Sequence, residues 1–211
     1  MKKLLFLGIF SLILILPNQS YARKSDFIIS LKTGFNGLTG DFGKDFNTGY
    51  NGSLNFEYFF KDNFSGCFGL GGNYFKAKTV NYGGWSVEQY IADADLSFGI
   101  RYYFADIQKK ITPYIGIDGY YLEVVQHAER TGAVPTGYDK EKNETTGLEG
   151  IAPVVGILYP LGRNFHLSLT AKYTFTFQNV DTEDDFMQYQ TQTYFSDYHF
   201  WSIQLGFCFV M

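Results

Sequence analysis

Seven ionisable side chains occur at alternate positions within apolar segments: Lys32, Glu57, Asp93, Asp95, Arg101, Asp118 and Lys172. Buried without partners, such charges would each cost several kcal/mol, so they must pair if they share an interior. Their spacing puts Glu57 and Arg101 at one depth, each near the same end of its segment, and Lys32 and Lys172 level with Asp95 and Asp118. Pairing of Glu57 with Arg101 follows as the expectation. The network reads as a salt-bridge plug, with a proton or ion path as the functional alternative. His166 and Ser168 flank Leu167, an order that could set a histidine base beside a serine nucleophile. No acidic residue follows on the same segment to orient the imidazole, and no catalytic residue is assigned. The run Asp181-Thr182-Glu183-Asp184-Asp185, with Asp197 nearby, offers hard oxygen ligands for Ca²⁺. It lacks the glycine-punctuated spacing of a calcium loop and reads as a solvated acidic loop. No P-loop, dinucleotide or zinc pattern occurs, and neither a cofactor nor a metal is expected.

The elements that would position these groups are strands. From Trp201 to Met211 every second residue is large and apolar, while Ser202, Gln204, Gly206, Cys208 and Val210 take the other face. Seven earlier segments alternate similarly, about 26 to 36, 49 to 60, 64 to 75, 89 to 104, 112 to 124, 148 to 159 and 165 to 177. A strand of about 10 residues, tilted, crosses an apolar band of about 25 Å. Pro153 lacks the donor a ladder needs, so a bulge or a late start is expected in the sixth strand. Connections after strands two, four and six are short (61 to 63, 105 to 111, 160 to 164), and the other four are long. The third, Gln126 to Thr146, is polar, with Gly132, Pro135 and Gly137, and reads as an exposed loop. Short turns belong on the periplasmic side, which puts both termini there. Phe60, Phe64, Phe104, Phe165 and Phe209 then form one aromatic girdle; Phe35, Tyr50, Tyr74, Tyr90, Phe177 and Trp201 form the other. Cys67 and Cys208 face inward on strands three and eight, too far apart for a disulfide.

Composition agrees with a closed all-β, up-and-down transmembrane barrel of eight antiparallel strands. Aromatics make up 19% of the 211 residues, with 22 Phe, 17 Tyr and 23 Gly; the aromatics suit strands and interfaces, and inward glycines let a narrow barrel close. Residues 1–22 read as a secretory signal peptide, with Lys2, Lys3, an apolar core from Leu4 to Leu16 and a Tyr21-Ala22 end, leaving 23–211 as the barrel domain. Removing Lys2 and Lys3 shifts the net charge from −4 to −6. With no basic block, nucleic acid is not an expected partner.

The signal peptide, strand count, loop asymmetry, the stretch Thr112 to Tyr121 and the closing W-S-I-Q-L-G-F-C-F-V-M resemble the small eight-stranded outer-membrane barrels. That group contains the OmpA transmembrane domain and the adhesion-type OmpX and Ail proteins. The resemblance implies an outer-membrane location, a monomer in contact with outer-membrane lipid, and recognition by the barrel-insertion machinery through Phe207, Phe209 and Met211. Met211 stands where the group usually has Phe, so Phe209 takes part of that signal. The expected function is non-enzymatic: a structural or adhesion-like role toward a host or envelope partner through four long outer loops. A narrow porin-like channel and an outer-membrane lipid-modifying enzyme are the alternatives. His166-Leu167-Ser168 is similar to the His-x-Ser of the lipid A deacylases, but the alternation points it into the periplasmic end of the lumen, away from the outer leaflet. A secreted lipocalin-like barrel would need the apolar face inside, where this chain places charge.

Overall fold

In the computed structural model the described residues are 26–40, 42–81, 83–107, 111–133, 141–177, 179–181 and 195–211. Strict alternation produces long antiparallel strands: β1 (Phe27–Leu38), β2 (Gly49–Lys61), β3 (Phe64–Lys76), β4 (Trp85–Tyr103), β5 (Thr112–Gly132), β6 (Glu141–Pro160), β7 (Phe165–Thr176) and β8 (Phe200–Val210). Each pairs with its sequence neighbour, and β8 pairs back onto β1 from Ile28↔Val210 to Leu38↔Phe200, which closes the cylinder. Closure matters because an open sheet edge inside a bilayer would leave backbone donors and acceptors without water or a partner.

The outward face is apolar and unburied. Leu31, Phe35, Phe98, Phe165, Leu205 and Phe207 are each more than half exposed. In water each such side chain would forfeit roughly 1.5–3 kcal/mol of burial, so this belt fits a lipid surround. Rings on adjacent strands extend it as a band: Phe56 stacks on Phe68 at 6.3 Å, and Phe68 meets Phe98 at 5.1 Å. Toward the long-loop end Phe35 meets Tyr50 at 5.6 Å and Tyr74 meets Tyr90 at 5.7 Å.

Two elements depart from the sequence-based expectation. The third long loop is much shorter than Gln126 to Thr146, because β5 continues to Gly132 and β6 begins at Glu141. Continuous pairing from Thr112↔Leu158 to Glu129↔Glu141 builds a hairpin that runs well past the apolar belt. Its polar residues still alternate with Val124, Gln126 and Ala128 on a buried face, and sheet pairing outweighs their composition. The sixth strand likewise has neither a late start nor a register shift at Pro153. The β6–β7 ladder lapses between Ile151↔Phe175 and Val154↔Lys172 and resumes in the same register. Alternation of the ladder aims the ring nitrogen of Pro153 at β7, so the missing donor interrupts that one ladder while Ile117↔Pro153 persists on the other.

Candidate functional site: the filled lumen and the projecting sheet

The lumen holds three tiers. At the short-turn end Ile28, Phe59, Tyr103, Ile107, Tyr114, Val154, Leu158, Cys208 and Val210 form one buried apolar cluster. At the long-loop end Leu38, Phe75, Ile91, Leu122, Val124, Leu148, Tyr198 and Phe200 belong to a second. Between them lie the charged groups. Inward strand parity carries all of these but Ile107 and Tyr198, so Phe59, Phe75, Tyr103, Leu122 and Leu148 were readable as lumen residues. Counting only polar inward positions missed them.

The central tier is built around Asp118. Arg101 Nη1 donates to Asp118 Oδ1 at 2.5 Å and Nη2 to Oδ2 at 2.8 Å. Tyr120 OH donates to Oδ2 at 3.2 Å, and Cys67 Sγ donates to Oδ1 at 3.5 Å. Lys172 Nζ donates to Tyr120 OH at 3.0 Å while lying 4.9 Å from the centre of its ring. The local register explains the choice of partner. Arg101 sits opposite Gly116 and Asp118 opposite Gly99, so the charged pair lies diagonally across two adjacent strands with glycine facing each member. A Cβ at Gly116 would fall 2.5 Å from Arg101 Cδ, and one at Gly99 would overlap the Asp118 carboxylate.

Arg101 therefore does not pair with Glu57, which lies on β2 with β3 between them. Glu57 instead accepts from Ser65 Oγ and, at 2.7 Å, from Tyr103 OH. Lys172 likewise meets a phenol rather than a carboxylate. Lys32 enters no salt bridge among the described residues, and its stem packs where a side chain at Gly206 would stand. Asp95 faces Gly71 from β4. Asp93 belongs to the upper tier, accepting from Asn73 N at 3.1 Å, Asn73 Nδ2 at 2.7 Å and Tyr198 OH at 2.7 Å.

His166 and Ser168 are both buried in the lumen. His166 Nε2 lies 2.6 Å from the Ile107 carbonyl. No hydrogen bond joins the two side chains among the described residues. No carboxylate bonds the imidazole, so the arrangement lacks the orienting link of a triad. Thr182 to Asp185 lie outside the described residues. Asp181 and Asp197 belong to a two-strand ribbon, 179–181 with 195–197, in which Asp197 pairs with Asn179. Among the described residues no group of three or more His, Cys, Asp or Glu could hold a metal ion. Both cysteines are free.

Beyond the belt, β4, β5 and β6 project together, and the short strand Val80–Asn81 pairs with Ser86 and Val87 on the other side of β4. The outward face of β4, β5 and β6 carries Glu88, Glu129 and Glu141 directly opposite one another across the three strands. Lys76 Nζ donates to Glu88 at 2.9 Å. The next row is tied across: Tyr90 stacks on His127 at 4.6 Å, and His127 Nδ1 lies 2.6 Å from Asn143 Oδ1.

A closed eight-stranded barrel with a lipid-compatible exterior and a filled interior is the fold of the small outer-membrane barrels. No family model matches the chain, and no curated protein does. Solved structures do. Ail, the attachment invasion locus protein of Yersinia pestis, superposes with a TM-score of 0.52 at 10% identity, over 90% of this chain and 100% of Ail. Neisserial surface protein A gives 0.56 at 11% identity, over 87% and 96% of the two chains. A major outer membrane protein of Thermus thermophilus gives 0.56 at 14% identity, over 90% and 100%. At these identities the likeness is one of fold.

Proposed function

We propose that this protein is exported by residues 1–22, inserts in the outer membrane with both termini periplasmic, and acts there as a non-enzymatic surface-interaction protein. The observation that carries the reading is the contrast between its two regions. The lumen is corked by an apolar tier at each end, Phe59 and Tyr103 below and Phe75 and Tyr198 above, all 2% exposed or less. The longest regular structure beyond the apolar belt among the described residues is the sheet of β4, β5 and β6. A filled bore supports neither solute passage nor catalysis inside it, whereas a rigid projecting sheet offers a surface. Insertion by way of Phe207, Phe209 and Met211 and a monomeric barrel in lipid belong to the same reading.

Ail has been crystallised with the heparin analogue sucrose octasulfate. The acidic outward face of the present sheet favours a partner of the opposite sign. The test is pull-down of envelope or host material by whole cells, with residues 77–84, 133–140 and 182–194 replaced in turn by short turns. Loss of capture in at least one replacement, with barrel mobility on unheated gels unchanged, is the expected result. Capture that survives every replacement would overturn the reading.

A further inference from the structure

The outward wall of β1 to β4 is ridged. Leu31, Leu54, Leu70 and Leu96 stand directly opposite one another across the four strands, and four residues nearer the long loops stand Phe35, Tyr50, Tyr74 and Ala92. Between these ridges runs a groove whose floor is Thr33, Gly52, Gly72 and Ala94. The floor is apolar as well as low, because the Thr33 hydroxyl is already spent on the Asn51 carbonyl at 3.0 Å. A Cβ on Gly52 would meet no atom closer than 3.8 Å. Here the groove opens into a hollow of about 560 Å³ lined by Leu31, Thr33, Gly52, Leu54, Leu70 and Leu205.

One end of the groove is charged. The residue opposite Ala94 on β5 is Glu123, and Glu149 on β6 lies diagonally beside it, since Glu123 pairs with Gly147 and Tyr121 with Glu149. Both carboxylates are exposed on the outward face where β5 and β6 leave the apolar belt, and neither forms an ion pair among the described residues. Diagonal neighbours stand about 7–8 Å apart, so one cation can lie between two groups that otherwise repel each other. From Thr33 to Glu123 is four strand steps, about 19 Å. One leaflet holds about 15 Å of hydrocarbon, and in a tilted-strand barrel such a row slants through it. An acyl chain between the ridges touches protein on three sides, where elsewhere on the belt it touches one.

We propose that this groove holds the extended acyl chain of a membrane lipid whose headgroup carries an ammonium, with that ammonium between Glu123 and Glu149. The groove selects a straight chain, and the carboxylates select the sign of the headgroup, turning away lipids that present only phosphate. This rests on the membrane location proposed above and is independent of the surface role.

The experiment uses the full barrel, isotope-labelled, in phosphatidylcholine nanodiscs, titrated at neutral pH with hexadecylammonium and followed by NMR. The amide signals of Gly52, Gly72 and Glu123 should shift together and saturate. Hexadecyl sulfate, which keeps the chain and reverses the charge, and butylammonium, which keeps the head and loses the chain, should each bind at least about ten-fold more weakly. Thr33→Leu with Gly52→Leu fills the floor and should weaken hexadecylammonium by about ten-fold. Ala94→Leu makes the same test should the first variant not fold. Glu123→Gln with Glu149→Gln should remove the preference for hexadecylammonium over hexadecyl sulfate. Shifts that never saturate and extend equally to Leu169 and Ile157 on the opposite wall would reduce the groove to ordinary lipid contact and overturn the proposal. Equal affinity for hexadecyl sulfate, unchanged affinity in the folded floor variant, or a dimer that covers Gly52 with no amphiphile added would overturn it too. Capture by whole cells is unaffected by any of these results.

Discussion

Arg101 on β4 and Asp118 on β5 meet in a two-pronged ion pair within the barrel, both side chains less than a tenth exposed. The two charges are held by register as much as by attraction, since each faces a glycine on the neighbouring strand. Removing one partner leaves the other buried without its counter-charge. Arg101→Ala should therefore destabilise the barrel by roughly 3–5 kcal/mol. Arg101→Ala combined with Asp118→Ala should cost less than that single change, because no charge is stranded. Urea unfolding in lipid vesicles, followed by gel mobility, measures both. A double mutant at least as unstable as the sum of its single changes would remove the pair from the account.

The two glycines should be nearly as sensitive as the charges. Gly99→Ala sets a methyl group into the Asp118 carboxylate and the Ile117 carbonyl, and Gly116→Ala sets one against the Ile100 carbonyl and the Arg101 stem. Each should cost about 1–3 kcal/mol, the usual range for overpacking. Gly119→Ala on the same strand is the control, because a Cβ there meets no atom closer than 3.8 Å. Similar losses at all three positions would mean that the tight fit around the ion pair does not matter.

Conductance follows from the tiers. With Phe59 and Tyr103 closing one end and Phe75 and Tyr198 the other, planar-bilayer recordings of the unaltered protein should show no steady large conductance. Opening one end alone, by Phe59→Ala with Tyr103→Ala, should leave it closed. Opening both ends, by adding Phe75→Ala with Tyr198→Ala, should create a polar path past Lys32, Asp95 and Lys172. Large steady currents through the unaltered barrel would restore the channel reading.

Cys67 and Cys208 should stay reduced during export. They lie on β3 and β8 with β2 and β1 between them, three ladder steps at about 4.8 Å each, against a Cα separation limit near 7 Å for a disulfide. Mass spectrometry without reduction should find two free thiols. A cross-linked peptide would contradict the strand order itself.

Within the segments whose alternation marks them as strands, the sequence by itself determined which wall each residue faces. A period of two is a local property: Leu205 and Phe207 must point one way if Gln204 and Cys208 point the other, whatever lies on the next strand. Strand number and the contrast between short and long connections are likewise local, and with them the closed barrel. What only the tertiary structure decided was how far each strand is staggered against its neighbour. That stagger gives Asp118 rather than Glu57 to Arg101, and Tyr120 rather than a carboxylate to Lys172. It also carries β5 and β6 beyond the end of β7. Shear between strands is fixed by closing all eight at once, so no single segment, however regular its alternation, contains it.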